Sequence, residues 1–134
     1  VIFVFMELAF LIGRILFGGY WLMSGINHFK MRKMLEGYTA SKGIPMPSLV
    51  VSLSGIILML IGLSVILGIY VEWTLLILAI FLAAVSVFMH NFWTITDPNA
   101  KMTDMIHFMK NMALLGAALM MYMIPVPWFY SIGM

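Results

Sequence analysis

The stretch SLVVSLSGIILMLIGLSVIL, residues 48–67, runs for twenty positions without a charged side chain. A helix rising about 1.5 Å per residue needs about that length to cross a hydrocarbon core of about 30 Å. Apolar residues recur on every side of it, so it reads as a membrane span rather than as the one-sided helix of a soluble domain.

The remaining composition agrees. Of 134 residues, 64% are hydrophobic and 9% charged, and the mean hydropathy is +1.11. A soluble fold of that make-up would expose far more apolar surface than a water-facing shell tolerates. The expected fold is all-α, a single integral membrane domain over residues 1–134 built as a four-helix bundle. Its spans are expected at about 2–26, 48–67, 73–89 and 105–124. The first span opens at residue 1 with no polar flank, the pattern of a chain whose native N-terminus is missing or processed. Glu7 and Arg14 interrupt a run longer than a secretory signal's apolar core, which makes a cleaved signal a poor reading. A tight turn at Gly68–Glu72 joins spans two and three, and Pro125 with Pro127 stops the last helix. Trp73, Trp93, Trp128, Tyr70 and Tyr130 fall at span ends, where an aromatic belt places them.

Lys30, Arg32, Lys33, Lys42 and Lys101 lie in the connections between spans one and two and between three and four. Those loops are expected on the cytoplasmic side of the cell membrane, with both termini outside. The net charge of +2 is read as topology, and no nucleic-acid partner is expected. There is no cysteine, which excludes thiolate catalysis, disulfides and cysteine-ligated clusters within this chain.

The first connection is too long for a turn. Met31, Met34, Leu35 and Tyr38 repeat at i, i+3, i+4 and i+7 among Lys30, Arg32, Lys33 and Glu36, the pattern of an amphipathic interfacial helix. Such a helix either anchors the spans at the membrane surface or roofs a pocket between them. Gly43, Pro45 and Pro47 then redirect the chain into span two.

Sparse polar residues inside the spans carry the functional signal. Glu7, Arg14, Gly18, Trp21, Gly25 and His28 share one stripe of span one. Gly18 and Gly25 would let a neighbouring helix approach closely. Arg14 lies near mid-span, where an unpaired Arg costs about 2.5–3.5 kcal/mol on insertion scales. Its partner is therefore Glu7, a backbone carbonyl, a ligand or another subunit. In span four, Asp104, His107 and Asn111 form a second stripe, with Lys110 beside it. Lys110 either snorkels to the headgroups or holds an anionic or carbonyl oxygen, while Asn111 has no such reach.

His90, Asn91, Phe92 and Trp93 close span three with an imidazole, an amide and two rings. Interfacial anchoring explains such residues as well as ligand binding does. His28, His90 and His107 would make a three-imidazole metal site only if three separate helices converged, and no close His spacing supports that; no metal ligand is assigned. The fifteen methionines read as flexible interface filler, Met120, Met121 and Met123 forming their one dense group.

Together, Gly13–Arg14, Ser24–Gly25 with Lys30, Lys42-Gly43-Ile44-Pro45, His90-Asn91-Phe92-Trp93, and Lys110-Asn111 with Leu114-Leu115-Gly116 resemble the DoxX family of small four-helix membrane proteins. The resemblance implies, for some relatives, membership of quinone-linked oxidoreductases acting on reduced sulfur compounds such as thiosulfate. Many relatives carry an acidic residue within span two, and Ser52 to Gly62 here has none. The leading expectation is a membrane subunit of such an oxidoreductase, binding quinone at a polar face through Arg14, His90, Asn91, Trp93, His107, Lys110 and Asn111. The alternative is a noncatalytic assembly subunit packed against a larger membrane complex, with Arg14 and the span-four stripe as contacts. A transporter is the weaker third reading, since no broken-helix repeat is evident.

Overall fold

The computed structural model describes residues 1–133 and contains, among them, α1 (Ile2–Lys30), α2 (Arg32–Ser41), α3 (Pro47–Leu67), α4 (Val71–Met89), a 3-10 turn (Phe92–Thr94) and α5 (Pro98–Tyr122). No strand occurs among the described residues, so the expected all-α class is the observed one. The α1 helix, the α3 helix and the stretch Val71–Thr94 that includes α4 are long and apolar enough to cross a membrane. α5 does not meet that requirement, because Asn99, Lys101, Asp104, His107, Lys110 and Asn111 interrupt its first half. Among the described residues, three membrane-length helices thus stand where four spans are expected from the sequence.

The helix limits differ from the expected spans for local reasons. α5 begins before 105 because Asp97 caps it, its carboxylate accepting from Ala100 N at 2.9 Å, with Pro98 next to the cap where a missing N–H is harmless. α1 continues past residue 26, and the Met31 N–H still reaches Asn27 O at 2.8 Å.

The chain forms two compact units, Val1–Thr74 with the segment from Pro125 onward, and Leu75–Ile124. In the first, α1 and α3 lie antiparallel and backbone to backbone. A Cβ on Gly18 would stand 2.7 Å from Gly62 O, and one on Gly25 would stand 2.6 Å from Gly55 O. Both glycine pairs are spaced by seven residues, two helical turns, so each helix presents them on one stripe. Gly18 and Gly25 have the packing role expected of them, and Gly55 and Gly62 of α3 are their partners. Val51, Leu58, Ile61 and Val65 are buried on α3.

α2 packs against α3 and is held there by Arg32. Its Nε donates to Glu36 Oε1 at 2.7 Å and its Nη2 to Ser48 Oγ at 2.8 Å. At the other end of α3, Gly68 adopts φ +74° and its N–H bonds Ser64 O at 2.8 Å, closing the helix with a left-handed cap. The C-terminal segment returns to this end. Ile132 N donates to Leu67 O at 3.0 Å, and buried Trp128 meets the Phe10 ring edge to face at 5.2 Å. The Tyr130 hydroxyl donates to Glu7 at 3.2 Å, and that carboxylate pushes the phenol above its ordinary range.

In the second unit α4 buries Leu75, Leu78, Leu82 and Ser86 along one face. α5 buries Asp104, Asn111 and Ala118 at seven-residue steps, and the 3-10 turn packs on α5.

Gly62→Ala is expected to disrupt the α1–α3 crossing, since its Cβ would lie 2.5 Å from Leu22 N. A loss of about 1–3 kcal/mol is expected from overpacking of this kind. Thermal unfolding in detergent should show a lower midpoint for Gly62→Ala and no loss for Gly13→Ala, whose added methyl meets nothing within 4 Å.

Candidate functional site

The polar residues singled out in the sequence fall into two groups with different chemistry. Arg14 belongs to the first unit and is buried at 3% exposure. It sits on the α1 stripe with Gly18, Trp21 and Gly25, and its guanidinium reaches the C-terminal end of α3. There Nε donates to Val65 O at 3.2 Å, Nη2 to Ile66 O at 2.7 Å, and Nη1 to Phe129 O. The last carbonyls of a helix have no intrahelical donor and carry the negative end of its dipole, so a cation is favourable there. The Phe10 and Trp128 rings lie 5.9 and 5.8 Å from the guanidinium carbon. A Cβ on Gly68 would stand 2.8 Å from Nη2, so glycine at this cap also makes room for the guanidinium. Of the partners weighed for Arg14, the carbonyls are the ones it has, and Glu7 turns to Tyr130 instead.

The second group lies where α4 ends and α5 begins. The helical register leaves His90 just past the end of α4, while Asp97 starts α5 early enough to place Asp104 and His107 opposite. His90 Nδ1 lies 3.2 Å from Asp104 Oδ1, with both side chains largely buried. Because a carboxylate only accepts, Nδ1 carries the proton of this bond. The His90 and His107 rings are neighbours, with centroids 5.0 Å apart and planes tilted by 32°. Next along the chain from His90 and His107, Phe92, Trp93 and Phe108 form a mutual edge-to-face cluster with centroids 5.4–5.8 Å apart.

The structure therefore brings His90, His107 and Trp93 into one unit with Asn91, Lys110 and Asn111. Asn91 opens the 3-10 turn, its carbonyl accepting from Thr94 N at 3.1 Å and Thr94 Oγ1 at 2.9 Å. Asn111 is buried on the Asp104 stripe, while Lys110, the position before it on α5, is exposed. His28 belongs to the first unit, where its Nδ1 donates to Ser24 O at 2.7 Å. Among the described residues no group of three or more His, Asp or Glu side chains is disposed to hold a metal.

Two members of this group had no assigned role in the sequence. Asp104 was visible on the stripe of α5, but only the fold makes it the partner of His90. Phe108 gave no separate signal, being one more apolar residue beside His107.

Comparison with known proteins adds one finding. The family model described as DoxX matches residues 9–91, more than half of the chain. No curated protein and no solved structure matches.

Arg14→Lys is expected to loosen the C-terminal segment, because a single ammonium cannot reproduce a fork spread over three carbonyls. Limited chymotrypsin digestion should cut at Trp128–Tyr130 sooner in the variant. An unchanged cleavage rate would mean that Arg14 does not hold the segment.

Proposed function

The chain belongs to the DoxX family of membrane proteins, and we propose that it is a small membrane subunit of a quinone-linked oxidoreductase whose quinone head group binds at the α4–α5 end of the second unit. In this reading α5 is the fourth span, crossing from about Met105 with its polar stripe turned to protein and ligand. The setting that family resemblance implies is oxidation of a reduced sulfur compound, with the electrons passing to a membrane-soluble acceptor.

The observation that supports the reading best is the His90–Asp104 pair beside a three-ring cluster. A quinone presents a flat apolar ring and two carbonyl oxygens, and it accepts two electrons and two protons. Phe92, Trp93 and Phe108 supply apolar walls of the kind small-molecule sites use, next to a few polar groups that fix orientation. With Nδ1 donating to Asp104, Nε2 of His90 accepts from a quinol hydroxyl when the ring is neutral and donates to a quinone carbonyl only as the imidazolium, whose charge Asp104 offsets. His107, Asn91, Asn111 and Lys110 are the further hydrogen-bonding groups of the same unit. They suit an oxygen that gains negative charge as it is reduced. In this reading electrons arrive from a partner subunit or a bound substrate.

The assembly-subunit alternative is less supported, because Arg14, one of its two contact groups, uses its donors on carbonyls of its own chain.

The test is quinone affinity of the purified protein and two variants. Asp104→Asn keeps the shape of the side chain and removes the charge that orients His90; His90→Gln removes the imidazole. Each is expected to weaken binding by roughly tenfold or more, as the loss of one charge-assisted hydrogen bond of about 1.5–3 kcal/mol implies. Thermal stability in the absence of quinone checks that both variants are folded. Wild-type affinity in two folded variants would remove the site from this end of the chain.

A further inference from the structure

The corner between α1 and α2 has a chemistry that the quinone reading does not use. α1 ends at Lys30, and α3 begins at Pro47. The antiparallel crossing of these membrane-length helices puts both of those ends at one level. Lys30 lies about 7 Å beyond Gly25 along its helix, and Ser48 about 10 Å before Gly55 on the other. α2 lies against α3 at that level, tied down by the bond of Arg32 to Ser48. Its position in the chain therefore places it where hydrocarbon gives way to headgroups.

The exposed residues of this corner alternate in kind. Lys30 and Lys33 are exposed, and Met31 and Met34 beside them are 45% and 58% exposed. Arg32, between them, is turned to Glu36 and Ser48. Two exposed cations with two exposed flexible apolar side chains match the two halves of a phospholipid at the interface. The ammonium groups suit a phosphate, and the thioether chains suit the start of the acyl region. An acidic segment of another protein would satisfy the lysines alone, and would have to displace lipid from a corner that two membrane-length helices already set in the bilayer surface.

We infer that Lys30 and Lys33, with Met31 and Met34, form a headgroup site for an anionic phospholipid at the α1–α2 corner. The site holds the phosphate between two ammonium groups and uses the methionines to seat α2 in the interface. Arg32 is a positioning residue here, since it fixes α2 on α3.

The test is native mass spectrometry of the full chain in mild detergent with phosphatidylglycerol or phosphatidylcholine of identical acyl chains. Phosphatidylglycerol is expected to be retained preferentially. The double variant Lys30→Gln/Lys33→Gln should lose roughly ten- to thirtyfold in its apparent affinity, the size set by two juxtamembrane cations. Lys101→Gln should retain phosphatidylglycerol as the wild type does, and Met31→Ser/Met34→Ser should weaken it. All of these positions are exposed, so folding is not at stake. Equal retention of the two lipids, or undiminished binding by the lysine double variant, would overturn the inference. So would displacement of the lipid by inorganic phosphate at equal concentration, which would make the corner a site for a free anion.

Discussion

Two helices can lie backbone against backbone only where neither carries a side chain at the crossing, and the first unit is organised by that restriction. Gly18 faces Gly62 and Gly25 faces Gly55, with the facing carbonyl oxygen 2.6–3.2 Å from where each Cβ would stand. In a bilayer, lipid gives little hydrophobic reason for helices to associate, so close packing has to supply the attraction. The crossing also fixes the axial register of α1 against α3. That register carries Arg14 to the last carbonyls of α3 and Lys30 to the level where α3 begins. A one-turn slip would move the guanidinium by about 5 Å and strand a cation at mid-span. The intramembrane charge and the bare glycine stripe are thus two readings of a single constraint.

Arg14 then explains features that look unrelated along the chain. Its fork gathers Val65, Ile66 and Phe129, so the end of α3 and the returning C-terminal segment share a donor. Trp128 and Phe10 cover the same group with aromatic faces, and Gly68 leaves the space it occupies. The polar chemistry of the second unit has a different character. His90 and Asp104 form a pair with a second imidazole alongside, next to rings that can flank a planar ligand. The mid-span cation Arg14 is engaged by backbone, whereas the second unit holds side chains of the kinds that bind and exchange protons.

Periodicity made most of the helices legible. The uncharged run 48–67 is α3 almost residue for residue, and the Met31–Tyr38 repeat became α2. The stripe Arg14, Gly18, Trp21, Gly25 is the buried face of α1. Hydropathy was a poorer guide to α5, because a helix start is set by its cap and not by where the sequence turns apolar. Asp97 and Pro98 carry that cap signal, ahead of the apolar stretch. The sequence showed that Arg14 needed a partner but could not show which, since the acceptors are main-chain carbonyls, and every residue has one. Gly55 and Gly62 repeat the spacing of Gly18 and Gly25, so the crossing was available in the sequence to a comparison of the two stripes. The His90–Asp104 contact spans a turn and the start of a helix, and no local spacing encodes it. DoxX membership fixes the family of the chain; the chemistry of the site has to be read from its side chains.

The most direct measurement is photolabelling of the purified protein with a light-activated quinone analogue, followed by peptide mapping. Labels are expected between Met89 and Asn111, concentrated on Phe92, Trp93 and Phe108 and competed away by unlabelled quinone. Competable labels confined to α1, α2 and α3, or the absence of any competable label, would contradict it.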